Sequence, residues 1–164
     1  MIRRRAHTAV LALTLTFAAC AGASEEGAPE PMADVEQTAA IELWQEGVPA
    51  FGVFVPSERE RGARGPDGEM LPPLYTSAGG AALGANPLLD YLFLNLEGAY
   101  DPEAVRQMAE GLATTEAGSR KTLLVRIPPI STDGEATARA RVAEALAAGA
   151  DGIVLPHVRS AEEA

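Results

Sequence analysis

Apolar residues in this chain gather in four short runs, and between the runs they recur at every third or fourth position. The runs are AFGVFV (50–55), YLFLNL (91–96), KTLLVRI (121–127) and GIVLP (152–156). Their length and their Gly, Pro and Asp borders predict four strands. The stretches between them predict helices. In ADVEQTAAIELWQEG, Val35, Ala39, Leu43 and Trp44 stand at helical spacing and Gly47 closes the element. AGGAALGANP (78–87) predicts a short, weak helix. DPEAVRQMAEGLATTEA opens with Asp101 as N-cap and Pro102 at the first helical position, a strong helix start. DGEATARARVAEALAAGA (133–150) predicts a helix with Val142, Leu146 and several alanines facing inward, and Ser160 caps the start of another.

Strands alternating with helices predict an α/β fold of parallel strands joined by right-handed crossovers. The runs are apolar along their length, which predicts cover on both faces of the sheet. A barrel and an open doubly wound sheet both satisfy this pattern. One long polar stretch interrupts it, PSERERGARGPDGEMLPPLYTS (56–77). A loop of this length reads as a lid or an insertion. Its Arg59, Arg61 and Arg64 are expected to be solvated rather than to form a basic patch. The glycines that follow match neither a dinucleotide fingerprint nor a P-loop.

The first residues have a different character. MIRRR is basic, AHTAVLALTLTFAAC is apolar and ends in small residues at Cys20, and the layout is that of a secretory signal peptide. Its apolar part, about 13 residues, is shorter than the roughly 20 needed to span a bilayer. FAAC resembles a bacterial lipobox, with Phe17 in place of the usual aliphatic residue. The expected layout is a signal peptide over 1–19, a lipidated Cys20 with a flexible tether to residue 37, and a folded domain over 38–164. The tether AGASEEGAPEPMADVEQ holds almost nothing large and apolar. Cys20 is the single cysteine, so no intrachain disulfide forms.

Charge narrows the partners. The chain carries 13 Lys and Arg against 23 Asp and Glu, a net charge of −10. Without Arg3, Arg4 and Arg5, which lie in the leader, 10 basic residues face 23 acidic ones, a net charge of −13. Nucleic acid is a poor partner for such a chain, because phosphate binding needs clustered cations. A small anionic substrate would need a local arginine or a metal ion.

DYLFLNLEGAYDPEAV, LLVRIP and ALAAGADGIVLPHVRSAEEA together resemble the first half of the HpcH/HpaI aldolase/citrate lyase family, and LWQEGVPAFGVFVPS is similar to that family's opening helix and first strand. The resemblance covers about residues 40 to 164, less the loop 57–80. It implies a (β/α)8 TIM barrel and a lyase that cleaves or forms carbon–carbon bonds beside a 2-oxo acid such as pyruvate. It also implies a divalent metal, Mg²⁺ or Mn²⁺, to stabilise the enolate. On the resemblance, Arg126 is the arginine that clamps the oxyanion, and Glu97 is the Glu of an Asp-x-Glu-His sequence. Asn95, Pro156 and His157 fall at the substrate-binding strand ends.

The match also departs from the family. Asn95 stands where the family has Asp, Gly98 where it has the acid/base His, and Ala147 where it has an acid. Glycine transfers no proton, so catalysis by this chain is left open. The family's metal ligands are expected after Ala164. A barrel takes about 250 residues, and four strands alone would leave about ten inward apolar side chains wet, a loss of about 15–30 kcal/mol. That exceeds a typical net stability of about 5–15 kcal/mol, so the expectation is a fragment or a half-barrel that pairs, with a homo-oligomer among the arrangements. The alternative function is a non-catalytic exported lipoprotein, anchored at the membrane through Cys20, that binds a small carboxylate or a protein partner.

Overall fold

The computed structural model describes residues 39–114 and 121–161. Cys20, the leader and the tether lie outside the described residues, as do residues 162–164 of the helix expected after Ser160. Among the described residues no helix is long and apolar enough to cross a membrane.

The first described element, α1 (Ala39–Gln45), is ended by Gly47, whose φ of 72° suits glycine. Strand β1 (Gly52–Phe54) follows, then α2 (Ser77–Gly84), β2 (Tyr91–Asn95) and α3 (Pro102–Ala113). The rest is β3 (Thr122–Arg126), a single turn α4 (Ile130–Asp133), α5 (Glu135–Ala147) and β4 (Gly152–Val154). The four strands are parallel and stand side by side in chain order. Each run therefore gives a strand, trimmed at its ends.

Helix α3 forms for the reasons its sequence advertises. The Asp101 carboxylate accepts a hydrogen bond from the Glu103 amide at 3.0 Å, and Pro102 fills a first-turn position that lacks an intrahelical donor partner. Ala104, Val105, Met108, Gly111 and Leu112 share its buried stripe. On its outer side Arg106 bonds both Glu103 and Glu110. The Arg106 guanidinium, aided by Gln107, holds the Glu103 carboxyl down at about 2.

The sheet is covered unequally, which corrects the expectation of two buried faces. Leu92, Leu94 and Leu96 of β2 and its exit, with Leu123, Val125 and Ile127 of β3 and its exit, are buried together with Val105, Met108 and Leu112 of α3. The alternate residues Tyr91, Phe93 and Leu124 are only half-buried, and Phe54 is 58% exposed. Strand side chains alternate between faces, so all the main helix packing lies on one side. The other face is not wholly wet. At its base Thr122 is buried and its hydroxyl accepts a hydrogen bond from the Ala40 amide of α1 at 3.2 Å.

One further expectation is corrected. Leu146 does not face inward: it is 47% exposed, and α5 packs instead through Ala138, Ala145 and half-buried Val142. Gly80 of α2 and Gly111 of α3 serve helix contact. A Cβ on Gly111 would stand 2.2 Å from the Ser77 carbonyl oxygen, and one on Gly80 would stand 2.8 Å from the Met108 carbonyl oxygen. Helices α2 and α3 touch backbone to backbone there.

Candidate functional site

The strand ends build the site. Asn95 of β2 is in register with Arg126 of β3, and Arg126 with Val154 of β4. The three form one row across the sheet at its C-terminal edge. They share a face with Phe93 and Leu124, the face away from the helix core. The C-terminal edge of a parallel sheet is where ligands bind in open α/β sheets and in barrels alike.

Past β2 the chain turns, and the Asn95 side-chain oxygen accepts the Glu97 amide at 3.2 Å. This is the local turn that Asn and Asp favour. An amide makes it without adding a second carboxylate beside Glu97. Glu97 then spans two neighbours. Its Oε2 accepts from the Arg126 Nη2 at 2.9 Å, and its Oε1 accepts from the His157 Nε2 at 2.7 Å. The side chains of Glu97 and Arg126 are each 25% exposed, so water and salt screen this pair less than a surface pair. His157 lies at the outer rim, 64% exposed. It follows buried Pro156 and has a φ of 57°, the one non-glycine residue with positive φ among those described.

Of the residues singled out in the sequence, Asn95, Glu97, Arg126 and His157 thus meet at one edge. Pro156 is buried next to the cluster and contributes the chain direction into His157. Gly98 is exposed, and nothing lies within 4 Å of where its Cβ would be. The position has room for a side chain and supplies none.

Of two adjoining clefts, the smaller reaches the row at Asn95. The larger, about 680 Å³, is lined by Phe54, Arg61, Met70, Leu71, Pro72 and Tyr75 among others. The smaller, about 320 Å³, runs from Pro72, Pro73 and Tyr75 to Asn95, Gly98 and Asp101. The long polar stretch makes the shared wall. Its neck is closed by the Glu58 carboxylate, which accepts from the Thr76 amide and hydroxyl at 2.7 and 2.8 Å, and by Ser57, whose hydroxyl accepts the Leu74 amide at 3.1 Å. Arg59 bonds the Pro72 carbonyl, and Arg64 the Gly68 carbonyl at 2.6 Å. Two of its three arginines hold the loop's own backbone, so they form no common basic patch. Tyr75 stands in both clefts, and burial raises its phenol above the ordinary value. Sequence reasoning passed over Tyr75; the one aromatic in a polar loop, directly after Pro72-Pro73-Leu74, was the available signal.

The described residues do not fit a divalent metal at this edge. Among them no group of three His, Cys, Asp or Glu side chains is placed to hold a cation. The single acidic group of the row, Glu97, has one oxygen on a guanidinium and the other on an imidazole, and a cation there would sit against Arg126. The arrangement can instead present guanidinium N–H donors to an anion, with an imidazole beside it. No family model, curated protein or solved structure matches the chain.

Proposed function

We propose that the strand-end row is a recognition site for a small 2-oxo acid, in an α/β domain of the aldolase type. The observation that carries the reading is the Arg126 guanidinium at the sheet's C-terminal edge, with one arm on Glu97 and further N–H donors to offer. A 2-oxo acid presents a carboxylate oxygen and a keto oxygen side by side, and a planar guanidinium can pair with both. Strand order supports a barrel-type arc over a doubly wound sheet. The strands run β1-β2-β3-β4 without a reversal, and the helix packing lies on one face; a doubly wound sheet reverses its order and carries helices on both faces.

On this reading the reaction class is carbon–carbon lysis beside the keto group, as the resemblance to the HpcH/HpaI family suggests. The bare Gly98 favours a second reading, binding without turnover. The chain is exported and held at a membrane by lipid on Cys20, so Cys20→Ser moves it from the membrane fraction to the soluble one.

Calorimetric titration with pyruvate tests the site. Arg126→Ala is expected to weaken binding at least about tenfold, since a charge-assisted hydrogen bond contributes about 1.5–3 kcal/mol. Propionate, which lacks the keto oxygen, binds more weakly than pyruvate. Equal binding by wild type and Arg126→Ala rejects the reading.

A further inference from the structure

We propose that His157 is the proton-transfer residue of this edge, held in its working tautomer by Glu97. The inference rests on the 2-oxo acid reading and deepens it. Three observations converge on His157. Its Nε2 meets a carboxylate oxygen at 2.7 Å, and a carboxylate accepts, so Nε2 carries the proton. In the neutral ring the lone pair then lies on the other nitrogen, Nδ1, and the ring is 64% exposed at the mouth. The residue also holds a left-handed backbone, which disfavours any side chain, although His tolerates it better than most. A glycine would sit there without strain.

The carboxylate that orients His157 also orients Arg126, so one group sets the spacing between a base and an anion clamp. A carboxylate on one imidazole nitrogen fixes which nitrogen is basic and stabilises the cation formed when the other takes a proton, as in a Ser-His-Asp triad. The chemistry follows. Nδ1 takes a proton from the carbon next to the keto group. The C–H electron pair becomes the new C=C bond, and the keto π pair moves onto the oxygen facing Arg126. The imidazolium rests against Glu97. Return of a proton to the same carbon restores the 2-oxo acid and the neutral ring. Nothing is oxidised or reduced, and in D₂O each cycle exchanges one carbon-bound proton for deuterium.

His157 thus supplies from the end of β4 the function that Gly98 cannot supply from the end of β2. Glu97 is a positioning residue in this step. The pairing depends on the parallel register that sets β2, β3 and β4 side by side.

The experiment follows the methyl proton signal of pyruvate by NMR in D₂O, with binding measured in parallel. Wild type is expected to exchange the methyl protons above the buffer rate. His157→Gln keeps polarity but cannot act as the base, and should lower protein-dependent exchange about 10²-fold or more, a far larger loss than any accompanying change in pyruvate affinity. Glu97→Gln releases His157 from its fixed tautomer, so exchange should fall by a larger factor than pyruvate affinity changes, a split that a purely structural role would not give. His157→Gly fits its backbone conformation, folds, and regains exchange when imidazole is added. If pyruvate binds through Arg126 but wild type and His157→Gln exchange at the same rate, the role of His157 is overturned and the binding reading stands. If pyruvate does not bind, both are overturned.

Discussion

The two sides of this sheet obey different rules. On the helix side, Leu92, Leu94, Leu123 and Val125 are fully buried, and α2 and α3 approach so closely that glycine is required at the contact. On the other side most residues of the same strands stay half-open and end in a row of Asn95, Arg126 and Val154, with the polar Glu97 and His157 beyond it. The first side is held by volume: each added or deleted methylene is felt. The second is held by a few directed contacts and retains accessible polar groups. Stability and chemistry are thus carried on opposite faces of three strands, and substitutions on one face can be read without disturbing the other.

The comparison can be tested from its largest expected effect downward. Leu94→Ala on the buried face should cost about 3 kcal/mol in chemical denaturation, whereas Phe54→Ala on the open face, at 58% exposure, should cost well under half of that. Equal losses would break the distinction. Gly111→Ala should cost about 2 kcal/mol or more, because its methyl meets the Ser77 carbonyl and the backbone of Gly80 and Ala81, which cannot swing aside. A neutral result would show that α2 and α3 do not meet as closely as described.

His157→Gly runs the other way. Relief of the left-handed backbone should stabilise the fold by up to about 1 kcal/mol, less what the Glu97 contact supplied. A loss of more than about 1 kcal/mol would make His157 a structural residue. The smallest effect concerns pH. Burial first, and then the neighbouring Glu144 carboxylate, raise the Tyr100 phenol from 10.0 to about 12. A raised value in the folded state means that its contribution is fully present below pH 10 and is lost as pH climbs towards 12. Tyr100→Phe should therefore flatten the stability profile between pH 10 and 12, at the expense of the hydroxyl's 3.0 Å bond to the Arg141 carbonyl. An unchanged slope would remove Tyr100 as its source.

Local rules made much of this readable in advance. Asp101-Pro102 announced α3 and the four apolar runs announced the strands, because capping, proline geometry and strand length act within a few residues. Asn95, Glu97 and Arg126 could be picked out as strand-end polar groups for the same reason. The sequence did not show that β2 alternates. YLFLNL is apolar at nearly every position, and which side of an all-apolar strand is covered depends on where the helices pack. The same holds for Leu146, whose spacing suited the core but whose side chain stands 47% exposed.

The chain's own order of residues thus determined the element types, the parallel α/β pattern, the acidic surface and the chemical identity of the strand-end groups, since each follows from short-range sterics and composition. Only the tertiary structure decided that Glu97 reaches both Arg126 and His157, 29 and 60 positions away in the sequence. Such a junction is set by the register between neighbouring strands, and register comes from the packing of whole faces, which no local stretch of sequence contains.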